Sequence, residues 1–377
     1  MSAVAGPPGV TDTEAVAATA TTGIPDSVPY RLTRVGVIMT PDPTSADEAE
    51  GVLNPATAWG PDGRLYLFPR LVSAGNVSRV GRASVTVVGG VPTGVERLGV
   101  TLSPDRGWEH GTGHGGVEDP RITFIPTLGV HVMTYVAFGP LGPRPAIAVS
   151  DDTEHWRRLG PIQFEYDDAL DTDLGLFPNK DVVFFPEVVP DPDGRPSYAL
   201  LHRPMWELEF ARPGEEPPLP TGTTDTRPGI WISYIPAEDA RADIAALVRP
   251  HGHRVVALSE RPWESLKIGA GPAPLRIPEG WLVLHHGVTG EMVGSTFVPQ
   301  NGLIYAAGAM ILDADDPSRV VARTALPLLT PETTEEKDGI AANVVFPTAI
   351  EEIDGHLFVF YGMADAKIGV ARLERDL

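Results

Sequence analysis

Short apolar runs that alternate with turn residues fill most of this chain, and five pairs of such runs share one layout. In each pair a polar residue precedes the first run, a turn containing glycine follows it, and the second run ends at polar or aromatic residues. This layout predicts β-hairpins, because apolar runs of about four to eight residues between turn signals are typical of strands. The paired runs are Ala56–Trp59 and Leu65–Phe68, Ile122–Ile125 and Val130–Val136, Val182–Val189 and Tyr198–Leu201, Ala273–Ile277 and Trp281–Leu284, and Val344–Ile350 and Leu357–Phe360.

Three of the five predicted hairpins turn at an Asp-Gly dipeptide, namely Asp62-Gly63, Asp193-Gly194 and Asp354-Gly355. Asp-Gly between apolar runs is a strong hairpin signal, because both central residues of the tightest turn require a positive φ. We therefore expect a positive φ at both residues of each of these turns.

A further β-type run follows each hairpin, and the whole unit recurs at spacings of about 60 to 90 residues. Repeated small antiparallel sheets are typical of a β-propeller, so the sequence predicts an all-β, five-bladed propeller formed by a single domain over residues 31–377. Residues 1–30 are rich in Ala, Thr, Gly and Pro, and we expect a largely disordered arm there. The additional runs are Ala83–Val88, Ala146–Ser150, Ile230–Tyr234, Tyr305–Leu312 and Ile368–Leu373.

Only one segment has convincing helical character. Pro236–Val248 has proline near its start and Pro250 after its end, which predicts one short helix in an insertion between the third and fourth units.

Composition narrows the functional classes. The chain has 40 glycines and 39 prolines, no cysteine, and a formal net charge of −21. Nucleic acids and anionic membranes are therefore poor partners, and a disulfide framework or thiolate metal site is excluded. Because the start of the chain lacks the pattern of a secretion signal and no apolar run is long enough to span a membrane, we expect a cytoplasmic protein. A homo-oligomer is compatible with these data.

Polar side chains recur at equivalent points of the repeat, where the first strands begin and the second strands end. In a propeller these points converge on one mouth, and convergent polar groups in a shallow pocket suit a sugar. The positions at the first strands are Asn54, Glu118, Asp119, Arg121, Asn179, Lys180, Asp181, Lys267 and Asn343, and those after the second strands are Arg70, His202, Arg203, His285, His286, Tyr361 and Asp365.

The same stretches resemble glycoside hydrolase family 130. The segments are GVEDPRI, NKDVVFFPE, LHRP, KIGAGPAP, LVLHHGV and NVVFPTAIEEIDGHLFVFYGMAD, in this order between about Asn54 and Ala371. The resemblance implies a five-bladed propeller with the activity of an inverting β-mannoside phosphorylase or, in a minority of members, a β-mannosidase. It also supplies mannose and phosphate as substrates, which composition and spacing do not.

By this resemblance Asp119 is the catalytic proton donor, with the proton passing through a sugar hydroxyl. A donor of this kind must be protonated near neutral pH, so we expect burial or neighbouring charge to raise the pKa of Asp119. The structural alternative is that Asp119-Pro120 caps a turn at the start of a strand.

Phosphorolysis needs fixed cations for the phosphate, and the sequence offers Lys180, Arg203 and His286, with Arg70 in support. The alternative for each is a surface cation. Hydrolysis on the same scaffold needs a second carboxylate to activate water instead, for which Asp181 or Glu187 is available. A noncatalytic sugar-binding propeller is the second rival.

Asn54, Asn343 and Asp365 are assigned to hydroxyl groups of the sugar, partly from the resemblance, with turn formation as their alternative. Glu118 and Arg121 either bind sugar and orient Asp119 or form a structural ion pair. Two aromatic residues, Trp206 and Tyr305, are candidates for a platform under the acceptor sugar, although such residues more often lie in a core.

One motif is set aside. Gly111–Gly116 fits G-x-G-x-x-G, but no strand precedes it and no helix follows, so we interpret it as a flexible loop that places Glu118 and Asp119. His110, His114 and Glu118 are spaced as on one helix face, yet the glycines exclude the helix, so we predict neither a metal site nor an organic cofactor. Inorganic phosphate enters only as a substrate.

Overall fold

The computed structural model describes residues 24–206, 215, 219–291 and 302–376, and this part of the chain is predominantly β. Its strands form five antiparallel units, numbered one to five along the chain, and β1 (Tyr30–Met39) belongs to unit five. The remaining strands are, in unit one, β2 (Gly51–Trp59), β3 (Leu65–Ser73), β4 (Val77–Val88) and β5 (Val91–Leu102); in unit two, β6 (Gly115–Ile125), β7 (Val130–Gly139), β8 (Gly142–Ser150) and β9 (Arg157–Pro161); in unit three, β10 (Asn179–Pro190), β11 (Pro196–Pro204), β12 (Ile230–Pro236) and β13 (His251–Ala257); in unit four, β14 (Lys267–Ala270), β15 (Leu275–Ile277), β16 (Gly280–Gly290), β17 (Leu303–Leu312) and β18 (Val320–Arg323); and in unit five, β19 (Val345–Ile353), β20 (His356–Met363) and β21 (Lys367–Arg375).

Each unit follows the order of its hairpins. Strands pair with their neighbours in sequence, β14 and β15 share the first place in unit four, and β1 pairs with β21 at the outer edge of unit five. Units one and two belong to one larger sheet, since a two-residue parallel bridge joins Val77 and Ser78 of β4 to Gly115 and Gly116 of β6.

The hydrophobic pattern located the strands well. Nearly every predicted run lies inside a strand of the structure, the exceptions being the first two residues of Ala273–Ile277 and the first residue of Val344–Ile350. The mostly β prediction is therefore confirmed. Of the loop predicted over Gly111–Gly116, the last two glycines are already part of β6, which leads directly to Glu118 and Asp119.

The turn prediction holds at one hairpin out of three. Asp354 and Gly355 have φ of 49° and 77°. At the other two Asp-Gly turns only the glycines, Gly63 and Gly194, have a positive φ. The reason is that these turns are longer: Gly60 N–H bonds to the carbonyl of Arg64, and Asp191 N–H bonds to that of Arg195, so aspartate takes an ordinary turn position.

The helix prediction was right in position along the sequence and wrong in its place in the fold. Helix α1 (Ala237–Ala242) and a 3₁₀ turn (Ile244–Val248) connect β12 to β13 within unit three, so they do not separate units three and four. A second helix, α2 (Thr334–Lys337), was not predicted, because it is a single turn. Three further 3₁₀ turns are Ala46–Glu48, Leu174–Leu176 and Pro262–Glu264.

Most of the predicted N-terminal arm lies outside the described residues. Of the residues that are described, Val28 and Tyr30 are buried, and the carbonyls of Pro25 and Asp26 accept hydrogen bonds from the backbone of residues 323 and 325. The last part of the arm therefore extends the edge of unit four before β1 joins unit five. In the described part of the chain, no helix is long and apolar enough to cross a membrane.

The hydrophobic core consists of five clusters, and each lies between two consecutive units. Phe68 of unit one packs with Met133 of unit two, and Phe184 of unit three with Val132 of unit two. Further clusters join units three and four, four and five, and five and one. Each unit thus buries its two faces against two neighbours, and the last unit packs against the first.

A buried ion pair recurs in four of the five units. A glutamate in the loop before the first strand binds an arginine on the outermost strand, and the same carboxylate accepts backbone N–H groups of its own loop. We call this arrangement the Glu–Arg clasp. The four clasps are Glu48–Arg97 at 2.8 Å, Glu109–Arg158 at 2.6 Å, Glu264–Arg323 at 2.7 Å and Glu336–Arg34 at 2.9 Å.

Three clasps also receive a hydrogen bond from the second strand of their unit. Tyr135 and Tyr361 donate their hydroxyls to Glu109 and Glu336, and His285 Nε2 lies 2.9 Å from Glu264. Burial alone would raise the pKa of Glu264, but the hydrogen bond with His285 and the charge of Arg323 bring it to about 2. This carboxylate is therefore ionised at any pH at which the protein works.

We expect removal of one clasp partner to be costly. Arg158→Met leaves the Glu109 carboxylate buried without its cation, and such changes cost about 3–5 kcal/mol. The double variant Glu109→Gln/Arg158→Met should recover part of this loss, because no buried charge remains unpaired. Urea unfolding measures all three proteins, with Arg319→Met, which breaks an exposed pair with Asp313, as the control. If Arg158→Met is as mild as the control, the clasp does not stabilise the fold.

Candidate active site

The site begins at a bend repeated in the first strands of units one to three. Asn54, Asp119 and Asp181 have a positive φ of 41°, 47° and 56°, and each lies at a break in the register between the first and second strands. Asparagine and aspartate tolerate this conformation better than other residues with a side chain, and such bulges redirect the side chains they carry. The repeat therefore presents the same kind of side chain from three units.

Arg70 at the end of β3 organises the first group of side chains, which we call the Arg70 cluster. Its guanidinium donates to Asp119 Oδ1 at 3.1 Å and to Glu118 Oε1 at 2.9 Å. Asn54 Nδ2 donates to Asp119 Oδ1 at 2.8 Å, and Lys180 Nζ lies 3.5 Å from Glu118 Oε2. Five of the predicted site residues are thus in direct contact.

Asp181 is the centre of the second group, the Asp181 cluster. Arg203 Nε donates to Asp181 Oδ2 at 2.6 Å, His286 Nε2 lies 3.6 Å from the same oxygen, and Arg121 approaches Oδ1 to 3.9 Å. Arg121 also donates to the backbone carbonyl of Asp119 at 3.3 Å. This arginine links the two clusters, so Arg203 and His286 belong to the same site as Asp119.

The charges around Asp119 overturn one expectation. Burial alone would raise the pKa of Asp119, but the positive charges of Arg70 and Lys180 and the hydrogen bond from Asn54 lower it below its ordinary value. The predicted protonated carboxyl is therefore wrong for the protein without substrate, in which Asp119 is ionised at neutral pH. Its position in the Arg70 cluster is as expected.

Asp365, in the turn after β20, has the opposite tendency. Burial raises its pKa to about 6, and the negative charges of Asp119 and Glu118 act in the same direction against the opposing effect of Arg70. Two neighbouring carboxyl groups in one site thus have pKa values displaced in opposite directions. This is typical of sites that hold and transfer a proton.

Several donors of the Asp181 cluster have no hydrogen-bond partner among the described residues. They are Arg121 NH2, Arg203 NH1 and both ring nitrogens of His286, and all three side chains are buried. Burial holds the pKa of His286 well below its ordinary value. His286 was grouped with the cations on the sequence, but here it is a neutral imidazole and contributes a hydrogen-bonding group without a charge.

The remaining predicted residues divide between the site and the core. Tyr305 stacks on His286 with 6.2 Å between ring centres, and its backbone N–H bonds to the carbonyl of Asn343. Trp206 instead packs against Phe177 and Trp231 in the core between units two and three. The platform predicted for Trp206 is therefore wrong, and its core alternative holds.

Sequence reasoning missed the central place of Asp181 and the part played by two glycines. Asp181 was considered only as a rival base, although it occupies the position of Asp119 in the repeat. A Cβ at Gly269 would lie 2.2 Å from Asp181 Oδ2, and one at Gly362 would lie 2.1 Å from Asn54 Oδ1. These side chains thus rest directly on glycine backbone, for which the printed sequence gives no signal beyond the glycines themselves. Among the described residues no group of three or more His, Asp or Glu side chains is arranged to hold a metal ion.

Comparison with known proteins gives consistent relatives. Residues 246–377 match the family model described as beta-1,4-mannooligosaccharide phosphorylase. The beta-1,2-mannobiose phosphorylase of Thermoanaerobacter sp. (strain X514) is 31% identical over 264 residues, which make up 69% of this chain and 68% of the relative.

Two solved structures extend the similarity over almost the whole chain. The beta-1,2-mannobiose phosphorylase of Listeria innocua, in complex with beta-1,2-mannobiose, has a TM-score of 0.66 at 20% identity, covering 93% of this chain and 97% of that one. A second structure has a TM-score of 0.69 at 22% identity, with 93% and 95% coverage. It is described as showing that the family of mannoside phosphorylases contains glycoside hydrolases that target beta-1,2 mannosidic linkages in Candida mannan. At these identities the structures show a shared fold.

The fold and the sequence relatives define this protein as a carbohydrate-active enzyme related to mannoside phosphorylases. It belongs to glycoside hydrolase family 130, as the resemblance in its motifs indicated.

The charge coupling within the Arg70 cluster gives a measurable prediction. We expect Asp119→Asn to lower the pKa of Asp365 from about 6, because the variant removes a negative charge that opposes ionisation of Asp365. Carboxyl chemical shifts of ¹³C-labelled protein, followed as a function of pH, measure this value. Glu187→Gln is the control, since Glu187 is exposed and lies six positions beyond Asp181 on β10. An unchanged pKa of Asp365 in Asp119→Asn would contradict the coupling.

Proposed function

We propose that this protein is an inverting β-mannoside phosphorylase. It transfers a mannosyl group from a β-mannoside to inorganic phosphate and releases α-D-mannose 1-phosphate and a shortened acceptor. Asp119 is the acid, Lys180, Arg203, His286 and Arg70 hold phosphate, and Asn54, Glu118, Arg121, Asn343 and Asp365 bind the sugar. The linkage, β-1,2 or β-1,4, is left to the experiment, because relatives of both kinds match the chain.

We also propose that the five units are the blades of one five-bladed propeller over residues 31–377. Two observations support this architecture. Five hydrophobic clusters lie between consecutive units and include one between units five and one. The first strand β2 also contacts β6, β6 contacts β10, and β10 contacts β14, while β19 contacts β2. A ring of blades with the first strands innermost explains why the side chains of several units meet in one site.

The observation that carries the proposed reaction is the group of donors around Asp181. The Nε of Arg203 is engaged by Asp181, which fixes the plane of the guanidinium and leaves NH1 without a described partner. Arg121 NH2 and His286 point their own unpaired donors into the same region. Buried arginines with fixed orientation suit an anion with several oxygens, such as phosphate. In a chain with a net charge of −21, such an anion needs local cations of this kind.

Phosphate also offers a way to activate Asp119. The Lys180 charge contributes to the low pKa of Asp119 in the protein without substrate. When phosphate pairs with Lys180, this effect weakens and the pKa of Asp119 rises, so the nucleophile itself favours the protonated acid. An oxygen of HPO4²⁻ then bonds to C1 as the bond from C1 to the leaving oxygen breaks. Asp119 protonates that oxygen through a sugar hydroxyl and regains the proton from phosphate, so protons balance.

The hydrolytic alternative lacks a suitable base among the carboxylates considered for it. Burial would raise the pKa of Asp181, but Arg203, His286 and Arg121 bring it well below its ordinary range, so Asp181 is a weak proton acceptor. Glu187 is exposed. We place the enzyme in the cytoplasm, because a charged sugar phosphate formed there is retained by the membrane.

Turnover of β-1,2- and β-1,4-mannobiose with and without phosphate tests the reaction, with ³¹P NMR to identify the product. We expect sugar phosphate to form only when phosphate is present and Asp119→Asn to lower kcat by about 10²- to 10⁴-fold. Hydrolysis that is independent of phosphate would establish the mannosidase instead. Sugar binding with no turnover under any condition would establish the noncatalytic rival.

Lys180→Met tests the phosphate assignment. We expect the KM for phosphate to rise at least about tenfold, with a smaller change in the KM for the mannoside, because the lost cation faces the anion. Arg195→Met is the matched control, since it removes an exposed cation from the opposite end of the same unit. Equal effects on both KM values would contradict a phosphate-specific role.

A further inference from the structure

Unit three is held together differently from the other units. In its described residues no Glu–Arg clasp connects the loop before β10 to the outermost strand. An uncharged chain crosses all four strands instead. Asn179 Nδ2 lies 2.9 Å from His202 Nδ1, His202 Nε2 lies 2.8 Å from Ser233 Oγ, and Ser233 Oγ lies 2.8 Å from His253 Nδ1. These four side chains are almost fully buried.

The two ends of the chain fix the direction of every hydrogen bond. At one end Asn179 Oδ1 accepts the backbone N–H of Arg203 at 3.1 Å, so Asn179 must donate through Nδ2 to His202. His202 then carries its proton on Nε2 and donates to Ser233, and the Ser233 hydroxyl donates to His253 Nδ1. At the other end His253 Nε2 donates to the carbonyl of Glu165 at 2.8 Å. Both histidines are therefore neutral Nε2–H tautomers.

Burial supports the neutral state. It lowers the pKa of His202 well below the ordinary value, and it lowers that of His253 as well. No charged side chain takes part in the chain, whereas each Glu–Arg clasp contains two. An additional buried carboxylate in unit three would lie near the proposed phosphate position and repel the anion, and the uncharged chain avoids this effect.

The chain acts where the backbone ladder is interrupted. β10 and β11 are in register at Lys180 and Arg203, and the next pair in register is Val183 with Leu201. Asn179 supplies a side-chain acceptor to Arg203 N–H beside this bulge. The position of Arg203, and of Lys180 next to Asn179, thus depends on the orientation of one amide, which His202 holds.

We propose that His202, fixed by Ser233 and His253, is a positioning residue that orients Asn179 and thereby holds Arg203 and Lys180 in place for phosphate. This inference rests on the proposed function. It assigns a role in substrate binding to residues on β12 and β13, the strands of unit three that lie furthest from the site.

Ser233→Ala tests the role, because it breaks the chain in the middle with the smallest change in shape. We expect the KM for phosphate to rise about tenfold while the KM for the mannoside changes less than twofold, and His253→Gln should act in the same direction. Ser233→Thr keeps the hydroxyl and should restore the KM for phosphate. Tyr135→Phe is the structural control, since it removes one buried hydrogen bond from the clasp of unit two and should lower Tm without raising the KM for phosphate.

A second measurement does not depend on activity. In protein labelled with ¹⁵N-histidine, the wild type at neutral pH should show His202 and His253 as neutral Nε2–H tautomers, and a protonated ring or an Nδ1–H tautomer at either would overturn the chain. Wild-type turnover that ignores phosphate would remove the proposed function, and the phosphate role of the chain with it. Phosphate-dependent turnover with an unchanged KM for phosphate in Ser233→Ala would overturn the positioning role alone.

Discussion

The Glu–Arg clasp is the interaction on which the geometry of this protein depends. Each clasp ties the loop that leads into a unit to the strand at its outer edge, and the carboxylate also binds the backbone of that loop. Glu109, Glu264 and Glu336 are completely buried, so each must keep its arginine, because an isolated buried charge is costly. The clasp therefore fixes where the first strand of the unit begins. In units one and two, the bulge that carries Asn54 or Asp119 follows within ten residues.

The site uses the same economy of charge at its centre. Arg70 is shared by Glu118 and Asp119, and Asp181 is shared by Arg203 and Arg121. Because opposite charges alternate, no side chain is left as an uncompensated buried ion, yet donors of Arg121 and Arg203 remain unpaired in the described structure. An entering anion can therefore bind without displacing an existing ion pair. The same balance keeps Asp119 ionised until an anion draws Lys180 away from it.

The sequence predicted what depends on local pattern and missed what depends on distant pairing. Runs such as Ala146–Ser150 and Trp281–Leu284 lie in strands because alternation and flanking turns are local signals. Asn54, Asp119 and Lys180 were found because the repeat places them at the start of equivalent strands. The partners of a clasp are far apart, by 49 residues in Glu109–Arg158 and 302 in Glu336–Arg34, and nothing near either residue indicates the pair. The pKa of Asp119 was mispredicted for the same reason, since Arg70 and Lys180 reach it from other strands.

Unit three shows how a repeat is adapted to a function without a change of fold. Its second strand carries His202 and Arg203 where unit four carries His285 and His286. In unit four the first histidine of the pair binds the charged Glu264, whereas in unit three it binds Ser233. The backbone at the two positions can be alike, so the difference lies in the charge of the partner. A neutral partner is the one that leaves the positive potential of Arg203 undiminished, and Arg203 is the residue of the pair that carries a permanent charge.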